Sequence, residues 1–240
     1  RCPDMAKTLK EIAATKGESF YRGAIAEKID AFFKKHNGFL TKEDLAAFKP
    51  EWVDPISVNY HGVDVWELPP NGHGITVLMA LQILKDMKLG ERDCVDTMHK
   101  QIEAMKLAMV DTAQYVAEPS YMKVSVDQLL SEKYAAKRRA LINDQAIMPE
   151  PGEPGCPSTV YFCCADGEGN MVSFIQSNFR GFGSGIVVPG TGISLNDRAE
   201  NFKFDENHAN ALTGGKRPYH TIIPGFLTQD GKPLGPFGIM

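Results

Sequence analysis

Little in this chain points toward a membrane, a metal or a nucleic acid. No apolar run nears the roughly 18 residues that suggest a membrane-spanning helix, and no secretory leader opens the chain at Arg1. Cysteine is scarce. Cys2, Cys94, Cys156, Cys163 and Cys164 are odd in number and never spaced C-x-x-C, which argues against a disulfide framework or a zinc site. Cys163 and Cys164 adjoin in a strand-like run, so they are expected on opposite faces as buried thiols. This usage favours a reducing, cytoplasmic compartment and leaves localisation otherwise open. An excess of positive charge is also missing: 26 Lys and Arg stand against 30 Asp and Glu, a net charge of −4. With no basic stripe, nucleic acid is not an expected partner. Lys137-Arg138-Arg139, following Glu132, reads as a solvated helix face. His36, His61, His99 and His208 lack metal-ligand spacing, and neither a metal nor a cofactor is expected.

What is present is ordinary globular composition, 43% hydrophobic and 23% charged, enough for a sizeable core. Beginning at Arg1 and stopping at Met240 in an apolar, glycine-rich stretch, the chain reads as an internal piece of a longer protein. Ala6, Leu9, Ile12 and Ala13 predict a helix ending near Gly17, and Ile25, Ile29, Phe32 and Phe33 a second ending at Asn37-Gly38. Thr41 reads as the N-cap of a short acidic-headed helix. Residues 56–68 alternate as two strands about a His61-Gly62 turn, and Pro69-Pro70-Asn71-Gly72 is a loop. Helices are predicted from Ile75 to Met87, through Met98, Ile102, Met105, Met109 and Ala113, and from about Val126 to Asn143. The methionines are expected as helix-packing residues, and Asp111 as a helix-surface or capping residue. Residues 149–157, with four prolines and two glycines, predict an exposed, flexible joint. Strands dominate beyond it.

The first of those strands carries the candidate chemistry. Residues 159–165 and 171–178 have strand propensity, and Asp166-Gly167-Glu168-Gly169-Asn170 between them is a set of turn formers. Pairing symmetric about Glu168 sets Ala165 against Met171, Cys163 against Ser173, Tyr161 against Ile175 and Thr159 against Ser177. Opposed residues share a face at about 4.5–5.5 Å between Cβ atoms, so the Ser177 hydroxyl is expected within reach of Thr159. A threonine at a strand start is ordinarily a β-former and nothing more. The joint before it, the hydroxyl opposite it and the turn Arg180-Gly181-Phe182-Gly183-Ser184-Gly185 after its partner strand raise the nucleophile as a second reading beside that one.

These residues resemble the γ-glutamyltranspeptidase family of N-terminal-nucleophile hydrolases. That family has a threonine opening a strand, then D-x-x-G-N, then F-G-S/T-G. Here these read Thr159, Asp166 to Asn170, and Phe182-Gly183-Ser184-Gly185. Pro189-Gly190-Thr191-Gly192-Ile193-Ser194-Leu195-Asn196 and Lys216-Arg217-Pro218 follow in family order. Upstream, Phe20 to Ala26, Leu40 to Leu45, Leu68 to Gly74 and Glu103 to Ala108 resemble large-subunit motifs. The resemblance implies an α+β fold, a four-layer αββα sandwich, with residues 1–240 forming part of one domain. Residues 1–158 would end the large subunit and 159–240 begin the small one. It further implies a precursor that cuts itself between Ser158 and Thr159, leaving two fragments that stay associated. The freed Thr159, its own α-amine serving as base, would attack a γ-glutamyl amide such as glutathione. Water, or an amino acid or peptide, would then resolve the acyl-enzyme. Ser177 matches the family hydroxyl that bonds the nucleophile. The glycine pair of the oxyanion hole is expected just past Met240, and an arginine for the substrate α-carboxylate before Arg1.

Donor recognition departs from the family pattern. Phe179 stands where an asparagine helps bind the α-carboxylate, Asn201 where an acidic residue binds the α-amine, and His220-Thr221 where a serine pair lies. A lost charge-assisted hydrogen bond is worth about 1.5–3 kcal/mol, so a related acylase on glutaryl-type side chains is the alternative reading. A non-catalytic binding scaffold is a third. His73 is a candidate cleft residue, and His220 reads as a pocket-lining residue at least as well as a general base.

Overall fold

The computed structural model describes residues 1–149 and 158–238; of the joint expected over 149–157, all but Pro149 lies outside the described residues. The helices are α1 (Pro3–Ala14), α2 (Glu18–Arg22), α3 (Ala24–Lys35), α4 (Lys42–Ala47), α5 (Gly74–Leu84), α6 (Val95–Tyr115), α7 (Val126–Leu129) and α8 (Glu132–Arg139). The strands are β1 (Ile56–Tyr60), β2 (Val63–Glu67), β3 (Ser158–Ala165), β4 (Met171–Phe179), β5 (Val187–Val188), β6 (Ile193–Ser194), β7 (Gly225–Gln229) and β8 (Lys232–Phe237). Among the described residues no helix is long and apolar enough to cross a membrane.

Two compact units emerge. The first joins Arg1–Trp52 to Arg180–Asp197. Its core is Ile25, Ile29 and Val188, with Phe20, Leu45 and Ile193 packed around them. Thr41 caps α4 as its sequence predicts, within a reciprocal capping box with Asp44. The glycine-rich turn is held tightly: Gly183 has φ +70°, and a Cβ there would lie 2.2 Å from the Leu195 carbonyl oxygen. No side chain fits.

The second unit joins Val53–Phe179 to Arg198–Met240. Antiparallel strands in the order β1-β2-β7-β8 form a four-stranded sheet, and β3-β4 a separate two-stranded one. Helix α5 buries itself on both sides. Leu78 packs on Val58 and Val65 of the sheet, while Ile75, Met79 and Ala80 meet Ala108, Val116 and Leu129. The Thr76 and Thr112 hydroxyls share a buried hydrogen bond of 2.7 Å, so neither is left unsatisfied.

Several expectations are corrected here. Helix α6 buries Ala104, Leu107, Ala108 and Thr112, while Met98, Ile102, Met105 and Met109 are exposed among the described residues. Apolar residues lie on two faces of this helix, and the face with Ala104, Leu107 and Ala108 made the contact with α5. The predicted helix over 126–143 breaks, because the Ser131 hydroxyl accepts the Tyr134 N–H (3.2 Å) and starts α8 afresh. Lys137-Arg138-Arg139 is not simply a solvated face. Arg138 pairs with buried Asp111 at 2.9 Å, and Arg139 donates to the Ile83 and Gln82 carbonyls at 2.7 and 2.8 Å. Cys163 and Cys164 are exposed rather than buried, since neither face of the β3-β4 ribbon is fully covered by the described residues.

Candidate active site

The β3-β4 ribbon follows the symmetric register from Ala165–Met171 through Tyr161–Ile175 to Val160–Gln176. There it slips. Ser158 pairs with Phe179, so Thr159 stands opposite two residues, Ser177 and Asn178. This is a β-bulge at the end of the ribbon that carries Thr159, not in its turn. Its cause is local. The Ser177 hydroxyl accepts the Phe179 N–H at 2.8 Å, and Phe179 takes φ +81°, rare for a non-glycine residue. The Thr159 side chain, and with it the expected hydroxyl contact to Ser177, lies outside the described residues.

Phe179 is buried, and its ring explains the strained backbone: Arg198 Cζ lies 5.5 Å from the ring centroid. Arg198, itself 5% exposed, donates to the Thr221 hydroxyl (3.2 Å) and the Ser177 carbonyl (3.4 Å). One guanidinium thus gathers Ser177, Phe179 and Thr221 into one neighbourhood. Sequence reasoning missed Arg198; a lone arginine in Asn196-Asp197-Arg198 carries no pattern of its own.

Asn201 and His220 join from the adjoining segment. The Asn201 side-chain amide donates to the Tyr219 carbonyl at 3.0 Å. Burial first, then the positive charges of Arg198 and His73, push the His220 imidazole down to about 4. At neutral pH it is uncharged and too weakly basic to serve well as a general base. Burial also pushes His73 down to about 4. Its ring Nδ1 is hydrogen-bonded to the Tyr219 hydroxyl, whose own pKa burial raises. A hollow of about 400 Å³ over Trp66, Leu68, Pro224 and Phe226 contains none of the expected site residues. Among the described residues, no group of three or more side chains could hold a metal ion.

The family model for gamma-glutamyltranspeptidase matches residues 1–240. The chain belongs to this family of enzymes. It is 34% identical over 232 residues to the glutathione hydrolase-like YwrD proenzyme of Bacillus subtilis, covering 96% of this chain and 44% of that one. It is also 34% identical over 224 residues to the oxamate amidohydrolase proenzyme of Klebsiella pneumoniae, covering 93% and 42%. The solved structure of a cephalosporin acylase from Bacillus halodurans superposes with a TM-score of 0.95 at 61% identity, covering all of this chain and 44% of that one. The chain therefore spans less than half the length of these relatives. The fold is that of the gamma-glutamyltranspeptidases and cephalosporin acylase, mixed helix and sheet, in agreement with the expected N-terminal-nucleophile hydrolase class.

In this family member Ser177 has a backbone duty beside its expected chemical one. Ser177→Ala is expected to slow self-cleavage and turnover of the full-length protein, with a stability loss of only about 1 kcal/mol from the missing Phe179 hydrogen bond. Unchanged rates for both steps would refute the pairing of the Ser177 and Thr159 hydroxyls.

Proposed function

We propose that the full-length protein is a self-processing threonine-nucleophile enzyme that cleaves or transfers γ-glutamyl groups from small amides such as glutathione. Thr159 attacks the carbonyl of Ser158, the ester so formed is hydrolysed, and the chain divides into associated fragments ending at Ser158 and starting at Thr159. The new α-amine takes the proton of the Thr159 hydroxyl as this attacks the donor amide. The amine product leaves, and water or an amino acid or peptide amine releases the acyl group. Ser177 supports the nucleophile, and Phe179, Asn201, His220 and Thr221 line the donor side. The four-layer αββα arrangement belongs to the same proposal. So does a single domain in which residues 1–158 contribute to the large subunit and 159–240 to the small one. What supports this reading is the ribbon register, which leaves Thr159, near the start of β3, opposite Ser177 and Asn178 at the bulge, in a chain matching the family throughout.

A second reading, an acylase on glutaryl-type side chains, is favoured by one observation. At the position expected to bind a donor α-amine, Asn201 offers no charge, and its Nδ2 donates to the Tyr219 carbonyl. Turnover of γ-glutamyl-anilide against glutaryl-anilide separates the two: an inert γ-glutamyl donor beside an active glutaryl one removes the first. Asn201→Asp is expected to move preference toward the α-amino donor by about 10- to 150-fold, the worth of one charge-assisted hydrogen bond. An unchanged ratio of kcat/KM values would show that position 201 does not meet the donor.

A further inference from the structure

His73 and Asn71 have no part in the chemistry above, yet they hold its donor side. The 218–221 segment is fastened to the loop before α5 at four points. Asn71 Nδ2 donates to the Pro218 carbonyl at 2.7 Å, and the His220 N–H to the Asn71 carbonyl at 3.0 Å. The His73 N–H donates to the His220 carbonyl at 2.8 Å, and the Tyr219 hydroxyl bonds His73 Nδ1. The two rings stand 5.4 Å apart at their centroids, tilted by 30°. Gly72 and His220 form a parallel bridge within this lattice. Asn201 adds a fifth tie, to the Tyr219 carbonyl. Every residue between Pro218 and His220 is therefore gripped, and the grip comes from a loop more than 140 residues earlier.

With His73 uncharged, as its burial dictates, the Tyr219 hydroxyl and His73 Nδ1 share a single hydrogen bond whose direction the imidazole tautomer sets. Both groups are half-buried, so losing one partner leaves the other poorly satisfied. The lattice also spans the expected cut: Asn71 and His73 precede it, and Pro218 to Thr221 follow it.

We infer that Asn71 and His73 are positioning residues for donor recognition, clamping the 218–221 segment so that His220 and Thr221 meet the acyl donor in one fixed register. The inference rests on the proposed donor role of those two residues. It is tested on the full-length protein with Tyr219→Phe, His73→Leu, the double variant and His73→Gln, which retains an acceptor. Kinetics are measured with whichever of the two anilides the wild type turns over, alongside amide hydrogen exchange over residues 69–75 and 217–223. Tyr219→Phe and His73→Leu are each expected to raise the donor KM about 3- to 10-fold with kcat altered less than about twofold. The double variant should be no worse than His73→Leu alone, and His73→Gln should recover most of the loss. Exchange should quicken in both segments. An unchanged KM, a fall in kcat alone, or additive losses in the double variant overturns the inference. If the wild type turns over neither anilide, the donor reading itself has failed, and the positioning role falls with it. Exchange then decides whether the clamp exists: unchanged protection in Tyr219→Phe removes that too.

Discussion

Replacing Thr159 with alanine is expected to leave the full-length chain uncut and to lower turnover by at least about a thousandfold, the scale on which loss of a nucleophile acts. On the proposed mechanism two separate losses converge on this residue. Without its hydroxyl there is no attack on the Ser158 carbonyl, so no ester forms and the peptide persists. Without the cut there is no free α-amine, and the base of the second reaction never appears. The ribbon itself should survive. Thr159 enters it through its backbone at the bulge, and the strained residue there, Phe179, is held by Ser177 and Arg198. Intact-mass measurement after long incubation reads the first effect, and release of the anilide chromophore reads the second. Normal maturation of Thr159→Ala would remove Thr159 from both roles. A wild-type chain that stays whole would remove the enzyme reading and leave a binding scaffold.

The parts of the structure legible in the sequence are those where one local preference acts alone. His61-Gly62 between two alternating runs gives the β1-β2 hairpin, because positive φ at both turn positions matches the strand twist. Thr41 and Asp44 announce the head of α4. The turn formers from Asp166 to Asn170 set the β3-β4 register as far as Val160–Gln176. It is lost where a tertiary contact intervenes, the Arg198 guanidinium over the Phe179 ring. Periodicity alone could not say which apolar face of α6 would be buried, nor that Arg138 would reach the buried carboxylate of Asp111. At the candidate site, comparison with the family motifs pointed to Ser177, Phe179, Asn201, His220 and Thr221, of which Ser177, Phe179 and Thr221 meet around Arg198. The clamp from Asn71 and His73 was not legible, because it is made largely by backbone groups brought together across about 150 residues. Only His73 stood out, as a candidate cleft residue in the Pro-Asn-Gly-His-Gly loop.

Glu67 was likewise silent in the sequence, one acidic residue at the end of an alternating strand, and its replacement should have the largest effect on stability. It is 2% exposed, and neither carboxylate oxygen has a hydrogen-bond partner among the described residues. It is wedged between two glycines: a Cβ on Gly74 would lie 2.8 Å from Oε2, and one on Gly225 2.9 Å from Oε1. Gly74 begins α5, whose positive end favours a nearby anion by about 0.3–2 kcal/mol. Desolvation is stronger, and burial pushes the Glu67 carboxyl up to about 8. The folded chain then keeps a proton that the unfolded chain gives up near 4.5. Between those values the unfolded state binds fewer protons, so stability falls as pH rises and levels off above about pH 8. Each tenfold difference in proton affinity between the two states is worth about 1.4 kcal/mol, so the accumulated loss is about 3–5 kcal/mol. His73 and His220 act in the opposite sense: their lowered values, each about 4, cost stability as pH falls below 6.5. They are common to both proteins, so the difference between wild-type and Glu67→Gln melting temperatures across pH 4.5 to 8.5 isolates Glu67. The variant-minus-wild-type difference is expected to rise with pH across this range, leaving the variant the more stable protein at pH 8. Parallel curves would mean that Glu67 is ionised in the folded protein, its charge met by a group of the full-length chain.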